Sequence, residues 1–192
     1  MTEIPRLGLG DLNPEQQSLW RYIVEGPRGN TMGKQPETLS GPFGPWLHNP
    51  KFGRSAAEMG EILRINAILP GDLREIAILA AGVRWKSEFE FWAHAQAARA
   101  EGLEEDVLEA MQAGKDPPFR TERQRLVYTV SMQLLDSGDL TRDLRNQLVE
   151  ELGWPATVEL VAIVGFYCMV AFTLNAFDVR LPKNVPSFWP RG

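Results

Sequence analysis

The chain has 192 residues, 44% apolar and 23% charged, an ordinary globular balance that suits one large domain, or one domain plus an arm, without disulfides. A net charge of -5 and the lack of any Lys/Arg run argue against nucleic acid and against anionic membrane surfaces as partners. Cys168 is the only cysteine, so no internal disulfide forms; the opening MTEIPRLGLGDL has no basic segment followed by an apolar run, and a cytoplasmic protein is expected.

Residues 1–13 read as an arm with several turn signals. Pro14 to Val24 then predicts a first helix, with Asn13 as its cap, Pro14 at its first position, and an apolar stripe of Leu19, Tyr22 and Ile23. Gly26 to Pro50 is long, irregular and rich in Gly and Pro. Its Phe43, Trp46 and Leu47 require a docking surface. Lys51 to Ile65 predicts the next helix. Two central helices follow, from about Leu73 to Arg84 and from about Ser87 to Ala100, the second stopped by Gly102. Glu104 to Ala113 reads as a short amphipathic helix. Thr121 caps another that runs to about Ser137. Thr141 to Leu152 gives one more, broken by Gly153-Trp154-Pro155. Ala156 to about Phe177 is long enough and apolar enough to span a bilayer, but Glu159, Asn175 and the lack of basic flanks favour a fully buried helix. Pro182, Pro186 and Pro190 make the tail extended. No window alternates as a strand does, so the fold class is all-α with about eight helices.

The two central helices concentrate the proton-handling groups. Glu90 and His94 are four residues apart and share a helix face, and Ser87 joins them. Glu75 lies on the preceding helix, which is apolar nearly all round and therefore expected to be buried. Each group also has a structural reading. Asp72 and Glu75 have the spacing of a capping box, as do Ser87 and Glu90. His94 stands among apolar residues, where a core histidine with one partner is the commoner outcome. Glu90, one turn away, is what favours function for His94, since a neighbouring carboxylate fixes the imidazole tautomer. Arg74, Arg84 and His48 are the candidate cations for an anionic substrate, whereas Lys86 reads as solvated surface. Tyr167 is a candidate phenol from the last long helix. A metal site is not expected with only two histidines, and Cys168, in the apolar run GFYCMVAF, has no activating neighbour.

The residues Leu69-Pro70, Arg74 to Leu79, Glu90, His94, Ala98, Ala100, Gly102 and Leu103, together with the earlier GPFGPWLHNP, resemble the carboxymuconolactone decarboxylase family, which shares the alkyl hydroperoxidase D-like fold. The resemblance runs from about Gly41 to Pro182, leaving residues 1–40 as an arm with one helix and a loop and 183–192 as a tail. It implies a helical bundle built on an internal repeat, and the chain shows a faint recurrence of a short helix followed by a long one. In the peroxidase branch a Cys-x-x-Cys pair stands between the Glu and the His. Here those positions hold Ser87 and Glu90, so thiol peroxidase chemistry is not expected. The branch without the pair carries Glu where Glu90 stands. What it implies is a cofactor-independent decarboxylase of aromatic catabolism, usually oligomeric, acting on a small carboxylated or lactone substrate, with Glu75, Glu90 and His94 catalytic. A homo-oligomer is also expected from the aromatic residues Phe43, Trp46, Phe188 and Trp189, which need burial sites. The alternative is a non-catalytic helical protein that binds a ligand or a partner through its long loop.

Overall fold

A computed structural model describes residues 4–27 and 36–189. Among these residues the protein is all-α, with eight helices and no strand; a lone antiparallel bridge joins Gly8 and Thr38. The chain divides into two compact units, one of Met1–Asn66 with Thr173–Val179, the other of Ala67–Phe172 with Arg180–Gly192. Part of the long loop, residues 28–35, lies outside the described residues.

The first unit holds α1 (Pro14–Glu25), α2 (Phe43–Trp46) and α3 (Pro50–Arg64). The cap of α1 is the one expected: Asn13 accepts from the Gln16 amide, Gln16 returns the bond, and Pro14 takes the first position, where no amide is required. The loop before α3 contains the short helix α2, which the Gly/Pro pattern hides. Phe43 and Trp46 are buried, Trp46 meeting the edge of Phe43 at 5.5 Å and of Phe52 at 6.2 Å, so these aromatics are covered within the chain. Gly53 lets α3 approach closely, since a Cβ there would stand 2.7 Å from the Trp46 carbonyl oxygen and 2.7 Å from Leu19. Tyr22 donates to Glu61 at 2.7 Å, and burial together with that carboxylate pushes its phenol up to about 12.

The second unit is organised around α4 (Gly71–Arg84), which packs against α5 (Glu88–Ala100), α6 (Glu105–Gln112) and α7 (Glu122–Ser137). Its run from Glu75 to Gly82 is buried, as an all-round apolar helix requires. Gly102, at φ 91°, closes α5: the Leu103 amide donates to the Ala98 carbonyl, a left-handed cap that glycine adopts without penalty. Thr121 caps α7 through the Gln124 amide, as expected. The last segment, α8 (Arg142–Ala176), reaches from the second unit into residues 173–176 of the first. Its helix is interrupted at Gly153, whose φ 77° and ψ 165° belong to a region open to glycine alone.

The expectation that the apolar part of α8 is fully buried is corrected. It is the one helix among the described residues long and apolar enough to cross a membrane, and half of its most apolar window is buried. Leu160, Ile163, Val164 and Tyr167 face inward, while Trp154, Val158, Val161 and Phe172 are exposed, Val158 by 64%. The exposed residues recur at four, seven and eighteen positions from Trp154 and so share one helix face.

Candidate functional site

The site is built where α4 turns into α5. Trp85 ends α4, and Lys86 adopts φ 48°, uncommon for a residue with a side chain. The Lys86 amide donates to the Val83 carbonyl and the Ser87 amide to that of Gly82, which folds α5 back along α4. The result brings Glu75 of α4 and His94 of α5 together. His94 Nδ1 lies 2.7 Å from Glu75 Oε2, and both side chains are buried.

The pairing differs from the one expected. The carboxylate on His94 is Glu75, nineteen residues back, and not Glu90, one turn away; neither oxygen of Glu90 accepts a hydrogen bond. Helical spacing brings two residues to one face, but it does not decide which neighbouring helix supplies the better partner. Arg74 reaches the other oxygen of Glu75 at 3.4 Å and Glu101 at 3.1 Å, so a chain of contacts runs Glu101–Arg74–Glu75–His94. The ring of Tyr167 stands edge-on to the imidazole, with centroids 4.9 Å apart. A carboxylate that holds Nδ1–H leaves Nε2 as the nitrogen that gives and takes a proton.

Neither capping box forms. α4 starts at Gly71, so Glu75 is the fifth helical residue and cannot reach back to the cap. Ser87 and Glu90 do hold the N-cap and third positions of α5, yet Ser87 makes no side-chain capping bond, and its hydroxyl is buried without a partner. Glu90 is 1% exposed, with both carboxyl oxygens unpartnered. It packs over Gly82, where an added Cβ would stand 3.5 Å from Oε1. Burial, unopposed by any nearby cation, pushes the Glu90 carboxyl well above the usual range, so its neutral form is favoured and the group is a donor as well as an acceptor. Unpartnered polar atoms deep in a protein cost roughly 1–3 kcal/mol each, which makes three on one helical turn a feature that folding alone does not explain.

The other residues singled out from the sequence have the following places. Arg84 pairs with Asp136 at 3.2 Å in an exposed contact and lies over the Trp85 ring at 5.4 Å. Lys86 is exposed, as expected. His48 belongs to the first unit, where its Nε2 lies 2.9 Å from the Pro5 carbonyl oxygen. Two cavities form in that unit, of about 400 Å³ and about 490 Å³. His48, Trp46 and Phe52 line the first; Glu75, Glu90 and His94 line neither. Cys168 accepts a contact from the Trp85 indole N–H at 3.2 Å; burial raises its thiol and outweighs that contact, which lowers it. No group of three His, Cys, Asp or Glu side chains among the described residues is arranged to hold a metal ion.

Sequence reasoning missed Glu101, which steadies Arg74, and Glu88, which receives the C-terminal tail. Both contacts join residues distant in sequence and leave no periodic signal. No protein-family model matches the chain, and no curated protein matches it.

Proposed function

We propose that the chain is a cofactor-independent lyase or isomerase of the carboxymuconolactone decarboxylase type, with the alkyl hydroperoxidase D-like fold and its helical repeat. Its substrate class is a small carboxylated or lactone molecule, and its work is the placing of one proton. The observation that carries this reading is a buried Glu75–His94 pair one turn from a fully buried carboxyl with no hydrogen-bond partner among the described residues. A core histidine with one partner accounts for the first half. It leaves Glu90 and Ser87 unexplained.

The chemistry follows from those groups. Loss of CO₂ beside an unsaturated lactone breaks one carbon–carbon bond, and the electron pair passes into the ring as a dienolate. Neutral Glu90 and the Ser87 hydroxyl are donors for the enolate oxygen. His94, its Nδ1 held by Glu75, delivers a proton from Nε2 to the carbon, so carboxylate and proton become product and CO₂. A positioned acid–base group of this kind contributes roughly 10²- to 10⁴-fold. Arg74 is the cation nearest the pair. With one face already committed to Glu75 and Glu101, it suits steadying the acid better than clamping a second anion. The lack of a cation beside Glu90 therefore favours a carbonyl over a carboxylate at that turn. Peroxidase chemistry lacks its thiol pair, as Cys168 stands alone.

In this reading the protein works in the cytoplasm, in aromatic-compound breakdown, as a homo-oligomer without nucleic-acid or membrane partners. The exposed apolar face of α8 supports self-association, and replaces the buried Phe43 and Trp46 as its basis. The competing reading, a non-catalytic ligand-binding protein, draws on the aromatic cavity of the first unit, which does not involve the pair. Turnover separates the two. With a carboxylated unsaturated lactone as substrate, His94→Ala should keep its helical circular dichroism and lose most CO₂ release. Wild-type rates in that variant would remove His94 from the mechanism, and no release from the wild-type chain favours the ligand-binding reading.

A further inference from the structure

The second unit ends in a strap that lies on the first turn of α5. Three donors converge on one oxygen of Glu88: the Ser187 hydroxyl, the Phe188 amide at 2.7 Å and the Trp189 amide at 2.9 Å. The Trp189 indole N–H donates to the Gln112 carbonyl at the end of α6, at 3.1 Å. The rings of Phe188 and Trp189 stand edge-on to Phe91 at 5.5 Å and 5.3 Å, and Phe91 is 3% exposed. Glu88 follows Ser87, and Phe91 follows Glu90, so the strap grips the residues that flank both unpartnered side chains.

We propose that residues 187–189 are a latch, with Glu88 as its catch, that governs entry to the sealed Ser87–Glu90 turn. The proposal rests on the reading of that turn as part of an active site. Ser87 and Glu90 have no partner and are closed off from solvent, so a ligand reaches them only when a neighbouring segment moves. The strap is the segment built to move. Among the described residues it has no helix, Pro182 and Pro186 contribute no amide donors, and the Val185 amide donates back to the Pro182 carbonyl in a single turn. Segments with few internal bonds and exposed hydrogen bonds open before packed helices do. The catch is a single carboxylate at the start of a helix, where the dipole favours its charge, so one event at Glu88 loosens three hydrogen bonds together.

The test reads access directly and does not depend on turnover. A thiol is introduced by Ser87→Cys in a Cys168→Ala background of the full chain, and its reaction with a neutral maleimide is timed. Adding Glu88→Ala should speed labelling by at least about tenfold, the factor by which losing one hydrogen bond to a charged group shifts an opening equilibrium, and Trp189→Ala, which removes the indole bond to Gln112 and the ring contact with Phe91, should speed it as well. In the chain that keeps Ser87 and Cys168, amide exchange over residues 88–94 should rise with Glu88→Ala while that of α7 stays the same. Unchanged labelling and unchanged exchange over 88–94 would overturn the latch, and so would a loss of protection in α7 as well, since that reports global unfolding. Faster labelling of the variants, together with no lactone turnover by the unaltered chain, supports the latch while removing the decarboxylase reading.

Discussion

Glu90→Gln isolates the most unusual group in the protein. Glu90 is fully buried, neither carboxyl oxygen has a partner, and burial raises its pKa well above the ordinary 4.5. Below that value the group is neutral in both folded and unfolded chains. Above it, the unfolded chain releases a proton that the folded chain keeps, so folding stability falls as pH rises, until the folded pKa is reached. The slope for one such group is about 1.4 kcal/mol per pH unit. Glutamine has nearly the same shape and no proton to lose, so the variant lacks this slope. Urea unfolding of both chains at pH 5, 6 and 7 should show the variant gaining on the wild type as pH rises. A cap behaves differently, because replacing glutamate by glutamine at the third position of a capping box leaves the pH dependence nearly unchanged. Parallel stability curves for the two proteins would refute the description of Glu90 as a sealed, unpaired acid.

Three further outcomes follow from the same geometry. Glu75→Ala takes the partner from His94 Nδ1 and one contact from Arg74 in a buried setting, and should cost about 3 kcal/mol in urea unfolding. Gly153→Ala places a side chain at φ 77° and ψ 165°, and should lower stability by about 1–3 kcal/mol; a value near zero would mean the break in α8 tolerates other backbone angles. Val158→Glu puts a charge on the exposed apolar face of α8 and should leave a 21.6 kDa monomer in light scattering, whereas the unaltered chain should run heavier; a wild-type monomer would end the self-association proposal.

Local chemistry made much of the fold legible. The Asn13 and Thr121 caps, the Gly102 stop and the all-round apolar character of α4 are each written within a few residues, and each appears where expected. The short α2 was not legible, because four residues containing Gly and Pro carry no period. Neither was the exposed face of α8: a helix apolar all round does not say which side meets the rest of the chain. At the site, sequence picked out Glu75, Glu90 and His94, but it paired His94 with the wrong acid. The choice depends on how tightly the turn at Lys86 folds α5 onto α4, a tertiary matter. Capping boxes are legible as patterns only. Ser87 and Glu90 have the pattern and do not cap, and that failure, visible only in three dimensions, is what marks them.

The most direct measurement of the proton-handling claim is hydrogen–deuterium exchange at carbon. An unsaturated lactone incubated with the protein in D₂O is followed by NMR at the position next to its carbonyl. The account predicts deuterium uptake catalysed by the wild-type chain and reduced at least about 10²-fold by His94→Ala, the lower end of what a positioned acid–base group supplies. Uptake no faster than in buffer, with the lactone shown to bind, would contradict it.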